Sequence, residues 1–71
     1  MADTVYKVVE IIGTSTESWE RAARTAVETA SKTLRDLRVA EVVEQDLVIT
    51  SGQVEAYRTK LRISFKSADN G

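Results

Sequence analysis

From Tyr57 to Lys66 the sequence alternates without a break, Tyr57, Thr59, Leu61, Ile63 and Phe65 interleaving with Arg58, Lys60, Arg62, Ser64 and Lys66. A period of two commits these residues to a β-strand with one apolar face and one charged face. Such a strand needs neighbours in a sheet and a cover for its apolar side. The rest of the chain supplies both. Arg38 to Ile49 reads as a second strand, joined to the Gln53 to Lys66 strand by Thr50-Ser51-Gly52, a short Gly-containing turn that predicts an antiparallel hairpin.

Val5 to Ile12 is a third strand, with six apolar residues in eight, mostly β-branched or aromatic. Its apolar residues fall on both faces, so both call for cover. A helix can cover one, and a second copy of the chain the other. The cover is legible in between. Trp19, Ala22, Ala23, Ala26, Val27, Ala30, Leu34 and Leu37 recur at the 3.6-residue spacing of one amphipathic helix. Gly13-Thr14-Ser15 is expected to end the first strand, with Ser15 as N-cap or Thr14 and Glu17 as a capping box. Glu17–Arg21, Glu20–Arg24 and Glu28–Lys32 are i,i+4 pairs in the favourable order, with Lys32 and Arg35 placed to suit the helix dipole. The four alanines of the inner face predict close approach to the sheet. The expected fold is therefore α+β, in the order β-α-β-β, a three-stranded antiparallel sheet partly wrapping one helix. It forms a single domain over 1–71, with an ordered core of about 4–66 and a polar tail at 67–71.

At 71 residues this core is small. Chains of this size have roughly 3–5 kcal/mol to spare and usually carry a staple. There is no Cys for a disulfide and no His, which excludes Cys/His zinc arrangements. Association with further copies is the staple that remains.

The chemistry that is missing is equally informative. Without His or Cys the commonest general base and the strongest nucleophile are absent. The three glycines are too scattered for a phosphate-cradling loop. The expectation is a protein that is not an enzyme. A net charge of −1 gives no reason to expect nucleic acid or an anionic membrane as partner. The basic stripe Arg58, Lys60, Arg62 and Lys66 faces an acidic neighbour: residues 53–66 carry four bases and one acid, residues 36–49 one base and four acids. Paired across a hairpin, these charges cancel and set the register. No apolar run nears the ~18 residues of a membrane span. Met1-Ala2-Asp3-Thr4 lacks the basic start and apolar stretch of a signal peptide, so the cytoplasm is the expected location. Trp19, on the apolar stripe, reads as a core or subunit contact whose indole N–H needs a partner.

Several segments together resemble the dodecins: Tyr6-Lys7-Val8-Val9-Glu10-Ile11-Ile12-Gly13-Thr14-Ser15, Thr33-Leu34-Arg35, Ala40-Glu41-Val42-Val43-Glu44 and Leu61-Arg62-Ile63-Ser64-Phe65. The likeness runs from Tyr6 to Lys66, and the strand–Gly-Thr-Ser–helix junction is its most specific element. It implies a hollow homododecamer that binds and stores flavin, with isoalloxazine rings stacked between Trp residues of neighbouring subunits. By that resemblance the flavin-site equivalents are Val39, Glu41, Gln45 and Arg58. Here the chain departs from the pattern. Val39 stands where the stacking Trp belongs, and Arg58 where flavin-binding members often have a Gln. Val has no π face, and Arg offers only donors where an amide offers donor and acceptor. Ordinary stacked flavin binding is therefore expected to be weakened or lost. Ser18-Trp19-Glu20, Arg38-Val39-Ala40 and Glu44-Gln45-Asp46 resemble the calcium dodecin subgroup. That likeness implies a hard cation, with Glu44 and Asp46, beside Gln45, as candidate ligands. Calcium wants six to eight oxygens, so symmetry-related copies would have to share the site.

Overall fold

The computed structural model describes residues 3–66. The polar tail expected at 67–71 lies outside the described residues. The elements are β1 (Tyr6–Ser15), α1 (Trp19–Ala30), β2 (Leu37–Thr50) and β3 (Gln53–Lys66). The alternating strand β3 is central, in the order β1-β3-β2, and both pairings are antiparallel. Residues opposite one another in such a ladder point to the same side. Val9 faces Ile63, Ile11 faces Leu61 and Gly13 faces Thr59, and α1 lies over this side. Leu61 and Ile63, each 1% exposed, form the core with Ala26, backed by Val9, Ile11, Ala23, Val27, Ala30 and Leu37.

Three local expectations are corrected. Gly13-Thr14-Ser15 does not end the strand. The ladder continues to Ser15 opposite Tyr57, because Gly13 lets the helix cross directly above the strand backbone. The N-cap is accordingly Ser18 and not Ser15: Ser18 Oγ accepts from the Arg21 N–H at 3.0 Å, while Ser15 Oγ accepts from Glu17 N–H at 2.9 Å in the entry turn. The helix also stops at Ala30, short of Leu34 and Leu37. Ser31 Oγ donates to the Glu28 carbonyl at 2.8 Å and Thr33 Oγ1 to that of Ala30 at 3.5 Å, local bonds that compete with helix continuation. Asp36 then takes a left-handed φ of 57° and turns the chain back. Leu37 joins the core from the start of β2. Lys32 and Arg35 thus lie beyond the last helical turn, and Glu17–Arg21, at 3.2 Å, is the expected i,i+4 pair that forms.

The hairpin turn is Ser51-Gly52, with Thr50 opposite Gln53 and φ values of 53° and 76°. Positive φ at both central residues is the two-residue turn whose twist matches that of the strands. β1 pairs with β3 only as far as Tyr57, so the hairpin runs on past β1 as a two-stranded arm. The molecule is 56 Å long and 13 Å thick, with a radius of gyration of 14.7 Å against about 11 Å for a compact chain of this length. The helix covers β1 and β3 and scarcely reaches β2. Of the fourteen residues of β2, only Leu37 and Val48 are even half-buried. The second face of β1 stays open in one chain: Tyr6, Val8 and Ile12 are exposed.

Candidate functional site

The side of the sheet away from α1 carries a ladder of charges. Arg58 stands opposite Asp46, Lys60 opposite Glu44, and Arg62 between Glu41 and Glu10. The cancellation expected across the hairpin is realised in contacts. Arg58 Nε and Nη2 donate to the two carboxylate oxygens of Asp46, both at 2.8 Å. Lys60 Nζ lies 3.5 Å from Glu44, Arg62 Nη1 3.7 Å from Glu41 and Arg62 Nη2 3.0 Å from Glu10. The last contact enlists β1, which the hairpin charges alone did not suggest. Exposed apolar residues flank the ladder: Val39 on β2, and Tyr6, Val8 and Ile12 on β1.

Val39, opposite Ser64, shares this side with Glu41, Glu44, Asp46 and Arg58 and is 61% exposed. Gln45 does not. It stands opposite Thr59, whose buried hydroxyl donates to the Trp19 carbonyl at 3.0 Å, so Gln45 belongs to the helix side of the sheet. Within one chain, Arg58 and Gln45 therefore do not converge on one ligand. Extra residues on β2 at the irregularities between Leu37 and Val39 and between Val42 and Glu44 set this alternation. A simple count of odd and even positions could not have found them.

Trp19 has its partner. Its indole N–H donates to the Asp46 carbonyl at 3.1 Å, and its ring meets Tyr57 edge to face at 5.3 Å between centroids. Asp46 is thus held twice, by its backbone to the helix start and by its carboxylate to Arg58. The Arg58 hydrogen bonds hold the Asp46 carboxyl below its ordinary range, opposed by desolvation and aided by the charges of Arg58 and Lys60. Arg58 is raised in turn. A depressed carboxyl contributes stability that is complete above the unfolded value, near pH 4, and is lost as pH falls through the folded value. Asp46→Asn should therefore flatten the fall of melting temperature below pH 4. Parallel acid profiles of wild type and variant, followed by circular dichroism, would show that the clamp adds nothing.

Neither anticipated ligand finds a complete site in one chain. For a stacked flavin, the Val39 position has no aromatic face and Arg58 is already engaged. For a cation, both Asp46 oxygens are taken by Arg58, and among the described residues no three acidic side chains gather at a point that could hold a metal. Glu41 and Glu44 keep outward-facing oxygens, with side chains 62% exposed. Among the described residues no helix is long and apolar enough to cross a membrane.

The family model for dodecin matches residues 5–68. The chain belongs to the dodecin family. It is 52% identical over 63 residues to calcium dodecin of Mycobacterium tuberculosis, covering 89% of each chain. It is 42% identical over 62 residues to dodecin of Thermus thermophilus, covering 87% of this chain and 90% of that one. Among solved structures it resembles Streptomyces coelicolor dodecin, with a TM-score of 0.92, 36% identity, and coverage of 99% of this chain and 100% of the other. The crystal structure of the M. tuberculosis protein, described as calcium-chelating with a novel calcium-binding site, has a TM-score of 0.82 and 50% identity. It covers 94% of this chain and 96% of its own. The β-α-β-β order and the antiparallel sheet over one helix are those expected from the sequence.

Proposed function

We propose that this dodecin is a self-assembling binding and storage protein, not an enzyme, whose shell does not hold flavin as a stacked pair. One observation carries the reading: Val39 is exposed on the same side of the sheet as an Arg58 that Asp46 already grips through both carboxylate oxygens. The position that should stack a planar ring offers none, and the one that should read its edge is occupied. Assembly is supported by the balance of apolar surface. Among the described residues, five buried apolar residues make the core, three of them Ala, while ten large apolar residues stay exposed in a single chain. Dodecins assemble as closed shells, and twelve copies is the number proposed here, in the cytoplasm.

A second reading, a cation-binding dodecin, rests on the 52% likeness to calcium dodecin and on the outward oxygens of Glu41 and Glu44. In it, Glu44 and Asp46 from neighbouring copies share the ion, and Asp46 exchanges Arg58 for the metal.

Native mass spectrometry of the purified protein, with calcium, with a chelator and with riboflavin, tests both readings. The expected result is one closed assembly of twelve chains in every condition, without bound riboflavin. A monomer at micromolar concentration refutes the shell. Riboflavin retained in pairs refutes the lost flavin site. Loss of the assembly or of thermal stability on chelation selects the cation reading, since a metal bound only to the folded shell stabilises it by mass action.

A further inference from the structure

A divalent cation that used Asp46 would need its carboxylate oxygens, and both already hold a cation. The Arg58 fork spans them, Nε on Oδ1 and Nη2 on Oδ2, each at 2.8 Å. Calcium binds the same oxygens of a carboxylate, singly or as a pair, so guanidinium and ion compete for one group. The competition is unequal. Arg58 is held directly across the ladder from Asp46 by the register of β2 and β3. The Asp46 main chain is fixed in turn by the Trp19 indole N–H, at 3.1 Å. Arg58 therefore meets Asp46 as an intramolecular partner at high effective concentration, and through two parallel charge-assisted bonds. A free ion has neither advantage.

The rest of the ladder repeats the pattern. Lys60 lies 3.5 Å from Glu44, and Arg62 reaches Glu41 at 3.7 Å and Glu10 at 3.0 Å. Four acids thus share three bases, and the charge of this side is nearly cancelled before any ion arrives. Symmetry does not relieve this. Each copy that brings an Asp46 to a shared axis brings its own Arg58 with it, so acids and bases multiply together.

We infer that Arg58 is the resident cation of this site and the residue that keeps divalent ions from Asp46. The inference rests on the reading of the chain as a shell that stays closed with and without calcium, and names the residue that makes it indifferent to the ion. It assigns ion selectivity to the base opposite Asp46 and not to the acids themselves. Arg58→Gln frees both Asp46 oxygens and leaves the ladder with four acids to two bases.

Trp19 makes the outcome visible. It is the only tryptophan, and its indole nitrogen donates to the Asp46 carbonyl oxygen, so terbium bound at Asp46 in place of calcium lies close enough to be sensitised. Chelator-treated protein, checked for a closed assembly by native mass spectrometry, is titrated with terbium, and calcium is then added to displace it. Wild type is expected to give no saturable emission. Arg58→Gln should bind terbium at least about tenfold more tightly than wild type, since the tethered competitor is gone. Arg58→Lys should fall between, because an ammonium cannot span both oxygens as a guanidinium does. The Arg58→Gln/Asp46→Asn double variant should return to the wild-type level. Saturable, calcium-displaceable emission from the wild type that Asp46→Asn removes overturns the inference without any change at Arg58, and selects the cation-binding reading. Equal affinity in wild type, Arg58→Lys and Arg58→Gln overturns it and leaves the shell standing. A monomeric wild type overturns the shell itself.

Discussion

Replacing Gly13 by alanine should lower the stability of this protein by about 3 kcal/mol, near the upper end of what overpacking costs. A Cβ at Gly13 would overlap the Ala22 carbonyl oxygen and come within 2.9 Å of the Ala26 Cβ. The first obstacle is helix backbone, so no side chain can rotate out of the way, and the whole helix must lift from β1 and β3. Lifting it uncovers Leu61 and Ile63, the two largest apolar side chains of the core. Alanine's better strand propensity returns only about 0.5–1 kcal/mol. At 4–8 °C per kcal/mol for a domain of this size, the melting temperature should fall by about 12–24 °C, measured at one fixed chain concentration. Gly52→Ala is the contrast. Nothing lies within 4 Å of a Cβ there, and only the positive φ of 76° opposes it, a cost of about 1–2 kcal/mol. Equal losses in the two variants would show that conformation, not the closeness of the helix, is what Gly13 supplies.

Val39→Trp should raise riboflavin affinity by about 5- to 150-fold over wild type. Ring stacking, by analogy with bases on aromatic side chains, is worth about 1–3 kcal/mol, and each 1.4 kcal/mol is tenfold. Val39 is exposed and its strand neighbours hold their register through Glu41–Arg62, so the indole is added without repacking a core. Arg58→Gln should add less. It restores edge recognition without contact area, and it leaves Asp46 with an unpaired carboxylate beside the ligand. Riboflavin fluorescence quenching of wild type, each single variant and the double measures all of this. Tight quenching by wild type would show that Val39 does not disable the site. An unchanged affinity in Val39→Trp would show that the site is closed by other means, with the Asp46–Arg58 clamp the first suspect.

That clamp illustrates where sequence reasoning ended. The bases of β3 and the acids of β2 were legible as complementary stripes, but which acid meets Arg58 was not. Glu41 and Glu44 are carboxylates like Asp46; the bulged register decides in favour of Asp46. Glu10 entered the network only when β1 was placed against β3. Gln45, two residues from Val43 and one from Asp46, went to the other side of the sheet for the same reason.

The sequence by itself determined the kind and order of the elements, which short-range periodicity reveals. The alternation of Tyr57 to Lys66, the alanine stripe of the helix and the Thr50-Ser51-Gly52 turn need no distant partner to be recognised, and they specify the element order. The lack of Cys and His bounded the chemistry. Tertiary structure decided whatever depends on two segments meeting. Gly13 looked like a strand terminator, yet it is the crossing point of the helix, because its missing side chain matters only once Ala22 lies above it. Leu34 and Leu37 continued the helical stripe on paper, yet the turn at Asp36 gives Leu37 to β2, from where it packs against the core of Ala26, Leu61 and Ile63. Periodicity is a property of one segment and register a property of two, and the candidate site is written in register.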